Sequence, residues 1–197
     1  RKKPYRKNLF IFGTIFGFSF FLGNIHWITN SLTFDENFRI LIPFGLILIP
    51  LFLSLFFSLI TIMVGPVLSL NLPSIIIFSA SLALSDFVRA KILTGFPWNL
   101  WAYSFSSFTE IIQILNIIGL FAFNLLSITI FMLPSILFFK LDFVKKILIL
   151  LLLPAVLFLS YIYGSQSINL NQKKLNDFEE KFNLKVISPN FELIYGL

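Results

Sequence analysis

The chain has 197 residues, is 57% hydrophobic and only 12% charged, and carries a net charge of +6. A soluble domain carries about 25% charged residues, whereas the apolar residues here come in runs of about twenty, the length that crosses a hydrocarbon core. The composition therefore excludes an ordinary soluble domain, and one His, nine acidic residues and no Cys offer no metal-ligand cluster, no thiolate chemistry and no evident cofactor site.

A basic arm opens the chain. Five of the fifteen basic residues lie within the first seven positions, directly before the first apolar run. Such an arm can bind nucleic acid, but beside a membrane segment it more often sets topology, so we expect no nucleic-acid partner. The run that follows is too long for a cleavable signal peptide, and no small-residue cleavage site follows it.

Five apolar runs predict an all-α polytopic membrane helix bundle at residues 1–163, with spans at about 9–28, 40–64, 75–93, 111–139 and 147–163. In the first run, Gly13 and Gly17 have the four-residue spacing that lets helix backbones approach closely. Ser74 is the predicted N-cap of the third helix. The fourth run is too long for one straight span, and predicts a short surface helix, a break near Gly119 and then a membrane helix.

Two groups of polar residues interrupt these runs. Asp86 and Arg89 lie one helical turn apart near the end of the third span, where they form either a simple ion pair or a functional site, since ionisable groups are costly at membrane depth. A second group predicts interhelical hydrogen bonds or contact with a polar cavity. It comprises Glu110, Gln113, Asn116 and, roughly on the same face, Asn124.

The composition changes at Gly164. Residues 164–183 are predicted to form a polar linker with a short charged helix at 173–182, and residues 184–197 open a further domain with a strand at 184–187. Basic residues number eight on the side of the N-terminus and three in the short loops of the other side. The positive-inside rule then predicts a cytoplasmic N-terminus, with the stretch 94–104 and the C-terminal segment together on the outer side.

The stretch 94–104 concentrates aromatic and turn residues. It holds Trp98, Trp101 and Tyr103 together with a Pro and a Gly, just after Asp86 and Arg89. From the residues alone, the interpretation is an aromatic belt at the membrane interface; the lipid-entrance loop is what the resemblance described next implies.

Four segments in chain order resemble bacterial apolipoprotein N-acyltransferases. The string LTGFPWNLWAYS at 93–104 is similar to the family signature LTGFPWxxxGYS, with Ala102 in place of its Gly, and DFVR at 86–89 resembles the acidic-x-x-Arg before it. Residues 17–27 look like the family's Gly/Phe-rich helix. VISPN at 186–190 resembles the first strand and turn of its nitrilase-like domain, so that the fold implied is a helix bundle followed by the start of an α/β domain.

The resemblance implies a multi-pass protein of the bacterial inner membrane, with a periplasmic C-terminal segment, that moves an acyl chain from a phospholipid to a diacylglyceryl lipoprotein. In the family a Cys, a Glu and a Lys do the chemistry, and none of them falls in this chain, which we expect to be inactive alone. Here Trp98, Arg89, Asp86, Tyr103 and Trp101 are the expected substrate-binding residues. A small transporter or channel, or a non-catalytic membrane anchor for an outer domain, remains the alternative.

Overall fold

The computed structural model describes residues 5–92 and 97–177, and these residues are helical with no strand. The α-helices are α1 (Arg6–Ile25), α2 (Ile42–Val64), α3 (Leu72–Ile92), α4 (Thr109–Ile112), α5 (Leu115–Met132) and α6 (Phe143–Asn176). Short 3-10 helices at His26–Thr33, Glu36–Leu41, Trp101–Phe105 and Leu133–Phe138 extend or connect them. The predicted strand at 184–187 lies outside the described residues.

Four helical segments in the described part of the chain are long and apolar enough to cross a membrane. They are Arg6–Thr33, Glu36–Val64, Leu115–Phe138 and Phe143–Asn176. The third predicted span is present as the helix α3, but α3 is not among these four. Its sequence contains four serines, Asp86, Arg89 and Lys91, which interrupt its apolar residues. Of the five expected spans, four are thus found within residues 5–92 and 97–177.

Helices α1 and α2 form an antiparallel pair that is joined along a seam of small residues. A Cβ atom added to Gly13 would lie 2.6 Å from Ser58 Cα, and one added to Gly17 would lie 2.9 Å from Ser54 Cα. The hydroxyl of Thr61 donates to the Leu9 carbonyl across the same seam, at 2.8 Å. The close approach predicted from the Gly-x-x-x-Gly spacing is confirmed.

Helix α3 begins earlier than predicted, and Ser74 is not its N-cap. The backbone N–H of Ser74 donates to the side-chain oxygen of Asn71, Oδ1, at 3.0 Å, so the Asn71 side chain caps the first turn. Ser74 lies in that first turn, where its hydroxyl also bonds to Asn71. Pro73 fits the first turn because the N–H that it lacks would have no helical partner there.

The predicted break near Gly119 is confirmed. Gly119 has φ 76° and ψ 167° inside α5, a backbone conformation that residues with a Cβ atom rarely adopt. The short helix α4 precedes this break, as expected. From Leu120 onward α5 runs antiparallel to α3, since Leu82 and Ile128 belong to one buried cluster and Ile75 and Ile136 belong to another nearer the α3 N-terminus.

The predicted polar linker at 164–172 is wrong. Helix α6 continues without a break from Phe143 to Asn176, so that the first residues of the predicted charged helix belong to it as well. No Pro interrupts this stretch, and Ser, Asn and Gln are polar without being incompatible with a helix. The boundary between the membrane bundle and a C-terminal domain at 184–197 remains a prediction.

Gly164 is instead a contact between α6 and α4. A Cβ atom at this position would overlap the carbonyl oxygen of Glu110 and would lie 2.5 Å from its carbonyl carbon. We therefore expect Gly164→Ala to separate α4 from α6 and to loosen the segment that leads into α4. Limited proteolysis between residues 97 and 112 should be faster in this variant than in Gly23→Ala, because Gly23 has no neighbour within 4 Å. Equal proteolysis rates in the two variants would refute the contact.

Candidate functional site

A chain of buried polar groups connects α3, α5 and the segment after Trp98. The guanidinium of Arg89 donates to Asp86 Oδ1 at 3.1 Å. The Asn124 amide donates to Asp86 Oδ2 at 2.9 Å, and its oxygen accepts from the Ala102 N–H at 3.2 Å. All four residues are buried. Burying a polar group costs free energy unless the group is hydrogen-bonded. This hydrogen-bond network therefore favours one arrangement of α3, α5 and the segment after Trp98.

The sequence predicted that Asp86 and Arg89 would pair, and the pair is confirmed, with both side chains buried. Their side chains are only 6% and 3% exposed, and the Arg89 guanidinium lies 5.4 Å from the centre of the Phe21 ring on α1. A guanidinium over an aromatic face gains cation–π attraction, which is larger in a desolvated site. Arg89 therefore contacts α1 as well as Asp86.

Two tryptophans fix the same segment to the α1 side of the bundle. The Trp98 ring stacks on the Trp27 ring, with centroids 5.2 Å apart and planes 10° apart. The Trp101 ring stacks on Phe20 at 4.9 Å and lies 5.9 Å from Phe131 on α5. Both tryptophans are half-buried. Their rings thus pack on the bundle and also retain surface that a ligand can contact.

Tyr103 is the most accessible of the five predicted residues, with 43% of its surface exposed. Partial burial raises the pKa of its phenol above the ordinary value, and the nearby positive charge of Arg89 opposes that rise. The phenol is therefore protonated at neutral pH and able to donate a hydrogen bond.

The predicted polar group on the fourth run is only partly confirmed. Asn124 makes the interhelical hydrogen bonds described above, but the Gln113 side chain donates to Thr109 within its own segment. Thr109 also donates to the Glu110 carboxylate, and Asn116 is exposed. The break at Gly119 explains the difference, because it changes the direction of the helix before the face can continue to Asn124.

The sequence did not indicate the aromatic partners. Trp27 and Phe20 lie on segments more than seventy residues before the tryptophans that they contact, and no local spacing links them. Within residues 5–92 and 97–177, no three or more His, Cys, Asp or Glu side chains are grouped to hold a metal ion. Among these residues, the site thus groups no side chains for metal chemistry.

Comparison with known proteins identifies the family. The model of the apolipoprotein N-acyltransferase N-terminal domain matches residues 1–133, about two thirds of the chain. The chain belongs to the apolipoprotein N-acyltransferase family. The match contains the Asp86–Arg89 pair, both tryptophans, Tyr103 and Asn124, so the site described above lies within the N-acyltransferase region. No solved structure matches the chain.

Curated apolipoprotein N-acyltransferases from several bacteria are similar to the chain. The protein of Rickettsia typhi is 30% identical over 184 residues, which cover 91% of this chain and 35% of that protein. The Rickettsia bellii protein is 38% identical over 117 residues, 59% of this chain and 23% of its own length. The Brucella melitensis protein is 32% identical over 126 residues, 64% and 24% respectively. The chain spans about a quarter to a third of the length of these relatives.

Proposed function

We propose that the chain is the membrane part of an acyltransferase of the bacterial inner membrane. Its reaction would transfer a fatty acyl chain from a phospholipid to the N-terminal diacylglyceryl-cysteine of a lipoprotein. Membership of the N-acyltransferase family and the four membrane-length helices support this proposal. The observation that carries it is the polar chain from Arg89 to Ala102, because it holds an aromatic segment firmly while leaving part of that segment accessible.

Within this proposal the five predicted residues divide into two roles. Trp98, Trp101 and Tyr103 contact the lipid substrates, since tryptophan and tyrosine rings suit the boundary between headgroups and acyl chains. Asp86 and Arg89 are positioning residues, because their side chains are almost fully buried.

The chemistry itself is assigned to residues outside this chain. A thiolate nucleophile, a general base and an oxyanion-stabilising cation are the groups that acyl transfer through a thioester needs. We propose that an outer-side, nitrilase-like domain supplies them, and that the membrane bundle delivers the acyl chain to it. The residues of the bundle therefore lower the activation barrier of acyl transfer only by binding and orienting the lipid substrates.

Replacement of Trp98 tests this function in a cell depleted of its own apolipoprotein N-acyltransferase. The full reading frame that contains these residues should restore N-acylated lipoproteins, as measured by mass spectrometry of lipoprotein N-termini. Trp98→Ala should slow acylation about tenfold, equivalent to a loss of about 1.4 kcal/mol of substrate contact. Trp98→Phe should retain most activity because it keeps a ring opposite Trp27.

The matched control is Phe138→Ala, which removes a 75% exposed ring at the opposite end of the bundle. Its acylation should equal that of the unsubstituted protein. Full acylation by Trp98→Ala at normal abundance would contradict a substrate role and would favour a non-catalytic anchor.

A further inference from the structure

A large apolar cavity lies inside the bundle, mostly away from the segment that contains Trp98, Trp101 and Tyr103 (the Trp98 segment). Its volume is about 430 Å³, within the range of about 300–1,000 Å³ that is common for ligand sites. Helices α1, α2, α3 and α5 all contribute to its wall, chiefly through Phe, Leu and Ile side chains. Trp101 borders the cavity at the end near the Trp98 segment. Ser69, Ser74 and Ser135 border it at the other end, near the start of α3.

The cavity is accessible from the lipid-facing surface of the bundle. Phe12 and Phe16 on α1 and Phe131 on α5 line it, and they are 65%, 45% and 43% exposed. An apolar space of this size is a poor site for water, because water needs two to four polar partners. In a bilayer, hydrocarbon chains are the abundant molecules that can fill it and restore the lost dispersion contacts.

Two polar atoms in its wall have no hydrogen-bond partner in the described part of the chain. They are the Ser135 hydroxyl and the Trp101 indole N–H, and both atoms are buried. Because both atoms are buried, the surface that the cavity offers a bound molecule is almost entirely apolar.

Basic residues surround the end of the bundle where Ser135 lies. This end is formed by the start of α1, where Arg6 and Lys7 are exposed, and by the segment that follows Ser135, where Lys140 is exposed. The Lys146 ammonium donates to the Leu137 carbonyl at 2.9 Å, which brings a further positive charge to the same end. An anionic headgroup at this position would meet complementary charge.

We propose that the cavity binds one acyl chain of an anionic phospholipid whose headgroup lies at this basic end, opposite the Trp98 segment. The chain extends from the Ser135 side towards Trp101, and the headgroup lies among the basic residues at the Ser135 end. This lipid is a bound component of the bundle and is separate from the acyl donor of the proposed reaction, so the inference does not depend on that function.

Native mass spectrometry of the protein in mild detergent tests the site directly. With added phosphatidylglycerol we expect one retained lipid per protein, and with phosphatidylcholine or a free fatty acid much weaker retention. Ser135→Leu adds side-chain volume to the cavity wall where the acyl chain enters, and should abolish retention. The same substitution at exposed Ser106, outside the cavity, should leave retention intact. Equal retention by Ser135→Leu, or no preference for the anionic lipid, would overturn the proposal.

Trp101 provides a second measurement that needs no change in the cavity. In a protein with Trp27→Phe and Trp98→Phe, Trp101 is the remaining tryptophan. Phosphatidylglycerol with bromine near the end of its acyl chain should quench Trp101 fluorescence saturably in vesicles of unbrominated lipid. The same lipid brominated next to the headgroup should quench it several-fold less. Equal quenching by both, or quenching that does not saturate, would contradict the bound chain and its orientation.

Discussion

Asp86→Ala should lower the free energy of unfolding by about 3–5 kcal/mol, because it leaves the Arg89 guanidinium buried without its partner. It also removes the acceptor of the Asn124 amide, so the hydrogen bond that holds Ala102 would lose its support. A denaturant titration of the purified protein in micelles should show this effect as a lower unfolding midpoint. Loss of acylation by the full reading frame should accompany it.

The chain contains a matched control for this substitution. Arg39 and Glu36 form an ion pair with the same i, i+3 spacing, but their side chains are 58% and 89% exposed and 3.7 Å apart. Glu36→Ala should change the free energy of unfolding by only about 0–1 kcal/mol. Equal effects of Asp86→Ala and Glu36→Ala would show that burial of the Asp86 pair contributes nothing to stability.

Gly13→Ala should destabilise the protein by about 1–3 kcal/mol, because the added methyl group must displace the α2 backbone at Ser58. Small residues let membrane helices approach without a hydrophobic driving force between them. Separation of α1 from α2 would also weaken the hydrogen bond from Thr61 to Leu9. The unfolding midpoint in a denaturant titration measures this loss.

Gly23→Ala is the control on the same helix. No atom lies within 4 Å of a Cβ atom at Gly23, and Ala has a higher helix propensity than Gly by about 0.8–1.0 kcal/mol. This variant should therefore be neutral or slightly more stable than the unsubstituted protein. A destabilisation similar to that of Gly13→Ala would mean that helix α1 tolerates no added side chain anywhere, and the specific seam with α2 would be refuted.

Local features of the fold were predictable because they depend on neighbours in sequence. The four-residue spacing of Gly13 and Gly17 indicates a close helix contact whatever the partner is, and the length of the fourth run requires a break, which Gly119 supplies. The i, i+3 spacing of Asp86 and Arg89 likewise predicts an ion pair. In each case the signal is contained within one continuous stretch of the chain.

Features that depend on tertiary partners could not be predicted in the same way. The buried Asp86 side chain is hydrogen-bonded to Asn124, thirty-eight residues later, and Trp98 stacks on Trp27, which lies more than seventy residues earlier. The error at Gly164 has a related cause, since polar composition describes which side chains tolerate water and not whether the backbone stays helical. Only the packing of α4 on α6 reveals why a glycine occupies that position.

The proposed function depends most directly on transfer of an acyl chain by the full reading frame. The purified protein should be supplied with a phospholipid that carries an isotope-labelled acyl chain and with a synthetic peptide that begins with diacylglyceryl-cysteine. Mass spectrometry should detect the labelled chain as an amide on the peptide's N-terminus, and Asn124→Leu should reduce the amount because it releases Ala102. A folded protein that forms no labelled amide, or an Asn124→Leu variant with undiminished transfer, would contradict the account.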